Sequence, residues 1–398
     1  MNKKSFAGKR GENIRSDCYF EIELKNSGGI KIGIKSKVSS MYGESIKKHI
    51  EEISGFFKIK NAVIYLEDAG ALPFVIAARL ESAIKRVMPD AANEYLIPVN
   101  KRNLYKSSKD RLRRSRLYLP GNEPKFFINA GLHSPDGIIL DLEDSVALSE
   151  KDAAQFLVRN ALRSVDFYGV ERMVRINQLP RGVEDLKFIV PHNVHVILIP
   201  KCESAEQVLQ IEENTVQIGE KHNLKNEIFY MPIIESALGA LKAFEIASSS
   251  KNICALAVGL EDYTADIGVQ RTNEGKESFF ARSMIVNAAK AAGVQAIDTV
   301  FSDVEDMDGL RLSVLEAKAL GFEGKGCIHP RQIKVVHEAF APTQEEIQKA
   351  QKIVEAFKEA EKQGIGVVSL GSKMIDPPVV KRAQRLLELA ELSLVNGH

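Results

Sequence analysis

The chain of 398 residues is short of the signals that usually announce a chemistry. Its four cysteines, Cys18, Cys202, Cys254 and Cys327, lie far apart and form no CxxC pair. That pattern argues against a disulfide framework and a structural zinc site, and fits a reduced cytoplasm. No stretch approaches the ~18 uncharged apolar residues that a membrane span requires. The basic start, MNKKSFAGKRGENIRSD, lacks the apolar core of a secretory signal, so a cytoplasmic protein is expected. A formal net charge of +1 points away from nucleic acid as a partner. The absence of GxGxxG, Walker, GxSxG and HExxH patterns weakens nicotinamide, nucleotide-hydrolase, serine-hydrolase and zinc-protease readings.

What is there is a repeated unit. Between Arg116 and Pro330 a short apolar strand, a polar residue at its end and an amphipathic helix recur. The strands read as Arg116–Pro120, Gly137–Asp144, Glu171–Asn177, His195–Lys201, Glu227–Glu235, Ile253–Asp262, Gln295–Phe301 and Gly321–Pro330. Eight such units in roughly 215 residues predict an α/β fold, a closed (β/α)8 TIM barrel with its chemistry at the carboxyl ends of the strands. Residues 1–88 alternate strand and helix patterns and predict a small α+β domain, whose last helix carries an apolar stripe of Ile76, Leu80, Ala83 and Val87. Residues 89–115 form a basic linker, KRNLYKSSKDRLRRSR at its heart, either solvated or able to reach an anionic ligand. The barrel is expected over 116–340. A helical extension follows over 341–398, with helices at Thr343–Gln363 and Val379–Leu394 around a polar GIGVVSLGSKMIDPP loop.

The strand ends hold the candidate chemistry. Glu235, in YMPIIES, and Asp262, in ALAVGLED, end adjacent strands at the barrel rim, about 5 Å apart across a ladder. Two such carboxylates suit Mg2+, which takes few protein ligands and keeps waters for exchange; acids capping the following helices are the alternative. Arg175, in MVRIN, either pairs with Asp141 or Glu143 or serves as a bidentate carboxylate receptor beside a bound ion. Alternation puts Asp141 and Glu143 on one face and Asp144 on the other, and these acids are expected to support the site from behind. Lys201, in IPKCES, reads as a charged structural pair with Glu203 and the second-strand acids rather than a Schiff-base lysine. His329 either caps a helix or meets a phosphate near strands seven and eight.

RSRLYLPGNEP, DGIILDLEDSVALSEK, VRIN, ILIPKCESAEQV, IIESALG, VGLEDYTADIG and GFEGKGCIHPRQI resemble, in order over about 111–395, the citrate lyase β-subunit family of citryl-, malyl- and citramalyl-CoA lyases. The resemblance implies a trimeric barrel lyase with Mg2+ on Glu235 and Asp262 and Arg175 on the keto-acid carboxylate. It also implies that Asp376, in MIDPP, is an acid/base donated by a neighbouring protomer. Residues 5–88 resemble the citrate lyase acyl carrier subunit, through SDCYFEIEL and EDAGALPFVIAARLESAI. In that subunit a serine two residues before an Asp carries a phosphoribosyl-dephospho-CoA arm. Here Arg15 holds that position, and Ser16 is the nearby serine. The expected activity is cleavage of a citryl-type thioester to a 2-keto acid and an acetyl thioester, with an acyl-transferase partner subunit. The alternatives are a malyl- or citramalyl-CoA lyase using free CoA thioesters and, in another class, a non-catalytic assembly subunit.

Overall fold

The computed structural model describes residues 4–362, 368–370 and 373–395. At the front, β1 (Lys4–Gly8), β2 (Cys18–Leu24), β3 (Ile30–Ser36) and β4 (Ala62–Asp68) form one sheet in the order β1-β2-β4-β3. Helices α1 (Ser39–Phe56) and α2 (Pro73–Val87) complete this module. The sequence predicts an apolar stripe on α2, yet α2 is buried on nearly every face. The reason is that it lies between its own sheet and a helix of the next domain, α3 (Lys151–Ser164).

Buried guanidiniums hold that junction. Arg79 on α2 grips Asp17 with two bonds (3.0 and 2.7 Å) and donates to the Asn122 carbonyl beyond it (3.1 Å). Arg159 on α3 pairs with Glu81 of α2 and reaches Glu94 (3.0 Å) and the Tyr95 carbonyl (3.1 Å). Arg86 adds a two-bond pair with Asp152 (2.8 and 2.7 Å). Removing one partner of such a buried pair costs about 3–5 kcal/mol, because the other charge is stranded. The module is therefore clamped to the barrel.

The eight expected strands close as a parallel barrel: β5 (Ser115–Pro120), β6 (Gly137–Asp141), β7 (Glu171–Arg175), β8 (Val196–Ile199), β9 (Phe229–Ile234), β10 (Ala255–Val258), β11 (Gln295–Asp298) and β12 (Gly324–Cys327), with β12 pairing back to β5. Ile139, Met173, Leu198, Met231, Ile233 and Ile297 fill the interior, and a second apolar layer packs against the helices. Burial on both faces explains why these strands read as continuous apolar runs. Most strands end earlier than the sequence reading. In particular Asp262 is not on a strand: Leu260–Asp266 is a short helix, with Glu261 and Asp262 in its first turn, where acids favour the helix dipole.

Tyr105, Arg113 and Arg114 of the basic run are bonded to residues at the amino-terminal side of the barrel, away from the mouth. Arg113 is fully buried and paired through two bonds (2.8 Å each) with Glu171 at the start of β7. Arg114 holds Asp136 (2.9 Å twice), and the Tyr105 hydroxyl donates to the Val170 carbonyl (2.6 Å). Arg113 and Arg114 are thus neither solvated nor free for a phosphate, whereas Lys101, Arg102 and Lys106 are exposed.

In the tail, helices Gln344–Lys362 and Pro377–Val395 pack on one another through Ala350, Val354, Val380 and Ala383. Much of the expected polar loop is a small antiparallel pair, Val368–Leu370 with Lys373–Ile375; positions 363–367 and 371–372 lie outside the described residues. Among the described residues no helix is long and apolar enough to cross a membrane.

Two buried histidines make the fold acid-sensitive. His195 Nδ1 accepts the Arg172 backbone N–H (3.1 Å), which leaves its proton on Nε2 facing the Tyr105 carbonyl (2.9 Å). His192 Nδ1 accepts from Arg163 (3.1 Å). Burial, then the neighbouring arginines, push each imidazole down to about 3. Between that value and the unfolded one the unfolded chain binds more protons, so stability rises with pH and is lost on acidification. Lowering pH from 7 to 5 should cost about 2 kcal/mol per histidine. Urea unfolding at the two pH values measures this, and His195→Gln should remove about half of the difference.

Candidate active site

At the carboxyl ends of the strands a cavity of ≈ 480 Å3 brings together Glu235, Asp262, Arg175, Asp141 and Asp144, with Tyr118 and Arg116 on the β5 side. A larger, polar cavity (≈ 900 Å3) adjoins it behind helix Leu260–Asp266, but neither Glu235 nor Arg175 lines it. The charged groups with unmet demands converge in the smaller one.

Glu235 follows β9 directly and is 6% exposed. Its Oε2 accepts the Lys201 backbone N–H (2.8 Å). Burial pushes its carboxyl up to about 7, against the pull of that bond and of Arg175. A carboxylate so short of positive charge is a candidate cation ligand. The chain makes space for it at Gly259: a Cβ there would land on Oε1, with Glu235 Cγ and Cδ at 2.7 and 2.9 Å.

Lys201 links the two expected metal carboxylates. Its N–H holds Glu235, and its Nζ lies 3.1 Å from Asp262 Oδ1. The residue takes φ +45°, an unusual backbone state for lysine. Its partner is thus Asp262, not Glu203, which instead accepts the Ser236 hydroxyl (2.6 Å). Although burial opposes it, Asp262 holds the ammonium above its ordinary pKa, which does not suit a Schiff-base nucleophile. The ammonium beside Asp262 is itself a cation resting on one of the two carboxylates. Among the described residues no three His, Cys, Asp or Glu side chains converge as metal ligands. An ion held by Glu235 and Asp262 would therefore keep open positions for water or substrate oxygens, and that donor set fits Mg2+.

Arg175, at the end of β7, lays Nε and Nη2 on the two oxygens of Asp141 (2.7 and 2.8 Å). Its Nη1 lies 2.9 Å from Glu143 Oε2 and 3.7 Å from Asp144 Oδ2, and its guanidinium sits over the Tyr118 ring (5.4 Å). Burial opposes both charges, but the paired bonds hold Arg175 above and Asp141 below their ordinary values. Glu143, raised by burial, also accepts from Gln178 (2.9 Å). Strand alternation stops at Asp141, so Glu143 reaches Arg175 through the turn and not through the pleat.

Three expected site residues lie apart from this cavity. Asp376 precedes helix Pro377–Val395 and accepts the Val379 N–H (3.2 Å); it does not line the mouth of its own chain. Ser16 is half-buried at φ +55°, its N–H on the Ala69 carbonyl (3.0 Å), and the neighbouring Asp17 is consumed by Arg79. His329 accepts the Arg331 N–H (3.2 Å), a turn-capping role. The sequence reading passed over Gly259, Tyr118 and Arg116. The period of two in RLYLP, with a charge inside an apolar strand, was the available signal for the last two.

A closed barrel with acids and a guanidinium gathered at the carboxyl ends of its strands is a barrel enzyme. The chain belongs to the HpcH/HpaI aldolase/citrate lyase family, whose model matches residues 114–330. Residues 9–87 match the malonate decarboxylase delta subunit family of acyl carriers. Citrate lyase subunit beta of Haemophilus influenzae is 43% identical over 284 residues, 71% of this chain and 98% of that protein. Mitochondrial citramalyl-CoA lyase of Mus musculus is 33% identical over 334 residues, 81% of this chain and 95% of that protein. Among solved structures, CitE of Mycobacterium tuberculosis in complex with magnesium, acetoacetate and coenzyme A is similar with a TM-score of 0.60 and 29% identity. That match covers 71% of this chain and all (100%) of that one.

Gly259 gives a clean test of the carboxylate cradle. Its φ of −114° is open to any residue, so Gly259→Ala adds only the methyl group that Glu235 now excludes. Divalent-ion affinity, read by calorimetric titration of Mg2+, should fall about 10–100-fold, with the circular dichroism spectrum retained.

Proposed function

We propose that the chain is a Mg2+-dependent carbon–carbon lyase that cleaves a citryl-type β-hydroxyacyl thioester. The products would be oxaloacetate, or a related 2-keto acid, and an acetyl thioester. The observation that carries this reading is Glu235: a buried carboxylate without a cation of its own, beside Asp262 and facing the same cavity as Arg175. The named relatives are a citrate lyase subunit and a citramalyl-CoA lyase, and a solved neighbour was crystallised with magnesium, acetoacetate and coenzyme A.

Glu235 and Asp262 would hold the ion. When bound, Mg2+ supplies Lewis-acid polarisation of the substrate's carbinol oxygen. Arg175, its plane fixed by Asp141 and Glu143, turns its remaining N–H groups toward the keto-acid carboxylate and so aligns the bond to be broken with the thioester. Asp376 of a neighbouring copy would take the carbinol proton as the carbon–carbon bond breaks, and would return it to the carbon of the acetyl-thioester enolate that cleavage leaves. A trimer would bring that residue to the mouth, which its own chain does not.

The thioester is more simply a free CoA ester than one carried on this chain. Arg15 stands where the carrier serine is expected, Asp17 is locked by Arg79, and α2 is clamped to α3. In that case the front module is a structural domain and no acyl-transferase partner is needed. An arm on Ser16 would restore the carrier reading, and intact-mass analysis of protein from its native host distinguishes the two.

Glu235→Ala should lower turnover by roughly 10³-fold, about 4 kcal/mol at the transition state, and EDTA should do the same to the unaltered protein. Citryl-, malyl- and citramalyl-CoA assayed separately identify the preferred substrate. Full turnover in EDTA would falsify the metal assignment. Asp376→Asn should be comparably inactive, and mixing it with Glu235→Ala under subunit exchange should recover activity. No recovery in mixed oligomers would mean that the acid acts within its own chain.

A further inference from the structure

We infer that Arg116 is a second anion-recognition group of the mouth, one that selects substrates whose keto-acid half carries an additional carboxylate. The inference rests on the lyase reading above and names the substrate class within it.

Arg116 lies on β5 and is 1% exposed, yet it lines the mouth cavity. Its neighbours across the two ladders are Gly137 on β6 and Gly326 on β12, so neither ladder partner offers it a side chain, and the space over them is taken by the apolar Met173 and Val300. The other wholly buried guanidiniums have partners: Arg79 has Asp17, Arg113 has Glu171, and Arg159 has Glu81. Arg172, on the far side of the barrel, has the Asn193 carbonyl (2.8 Å) and the Tyr105 ring (4.2 Å). Arg116 has none of this. Its Nη1 donates to the Met231 sulfur (2.9 Å), a weak and uncharged acceptor, and its Nε has no partner. Among the described residues no carboxylate lies within ion-pair distance of it.

An arginine cannot shed its charge to escape such a place. A stranded buried charge is destabilising unless an anion reaches it, and the cavity it lines is where an anionic substrate would enter. Arg175 cannot serve every carboxylate there, since its fork already faces Asp141 and Glu143. A monocarboxylate keto acid such as pyruvate needs one cationic partner beside the metal. An oxaloacetate-type product brings a second carboxylate, and Arg116 lies deeper, two residues along β5 from Tyr118 and on the same inward face. Its charge matches what the distal carboxylate lacks.

The test is titration of the full-length protein, with Mg2+ present, by oxaloacetate and by pyruvate. The unaltered protein should bind oxaloacetate about tenfold more tightly or better, and Arg116→Met should bring the ratio close to one. Arg116→Lys, which keeps the charge, should retain part of the preference. Without ligand, Arg116→Met should unfold at a higher temperature, because it removes a stranded charge. Equal binding of the two acids by the unaltered protein overturns the inference without recourse to any variant. So does a ratio that survives Arg116→Met, or a variant that melts lower with its preference intact. Citryl-CoA cleavage assayed alongside keeps the two readings separate. A protein that prefers oxaloacetate through Arg116 but cleaves no thioester retains this inference and loses the lyase reading. A protein that cleaves citryl-CoA with no role for Arg116 does the reverse.

Discussion

Arg175 reaches from the end of β7 to lay two bonds on Asp141 at the end of β6, and much of the molecule is organised outward from that pair. Asp141, held in place, accepts the backbone N–H groups of Glu143 (3.0 Å) and Ser145 (3.2 Å), which shapes the turn after β6. That turn brings Glu143 back to Arg175 and offers the carbonyls of Leu142 and Glu143 to Lys151 (2.9 and 2.8 Å). Lys151 is the first residue of α3, and α3 carries the Asp152 and Arg159 that clamp the front module. A chain of charge-assisted bonds, each stronger than its neutral counterpart, thus runs from the mouth to the amino-terminal domain. Loss of the Arg175 fork would loosen the whole path, so a change there reads on stability as well as on chemistry.

Within this rigid frame the cavity keeps two opposite imbalances. Among the described residues, Glu235 is a buried carboxylate with no paired cation, and Arg116 is a buried guanidinium with no paired anion. They do not neutralise one another, because no ion pair joins them among the described residues. A protein optimised for stability alone would pair or remove both. An ion bound together with a polycarboxylate would supply each with the charge it lacks. The Lys201 ammonium on Asp262 is the nearest internal substitute, and it satisfies only the outer carboxylate.

The barrel was legible because parallel strands covered on both faces read as apolar runs, and their ends fall where the runs stop. The position of Asp262 was less legible. Val-Gly-Leu-Glu-Asp reads as a continuing strand, but Gly259 turns the chain and acids in the next three positions favour a helix start. The basic run misled for a different reason. Arg113 is neutralised by Glu171, 58 positions later, and no local pattern carries that information. Arg116 has the opposite history: its place in an apolar strand was visible, but only the fold shows that no acid comes to meet it.

The front module follows the same physics. Its sheet and helices were legible from alternation and from the apolar stripe of α2, whereas its attachment was not, since the partners of Arg79 and Arg159 come from distant segments. A swinging carrier needs a domain that can travel and an attachment residue that is exposed and free. Here Arg86 and Arg159 fasten α2 and its flank to α3 at several points, and Asp17, beside Ser16, is buried under Arg79. Motion of the module would expose those charges together. Excursion of the whole domain would give up these charge-assisted contacts together with the packing of α2 on α3, which opposes it. Delivery of a substrate to the mouth would then fall to a flexible arm or to diffusion rather than to movement of the domain itself.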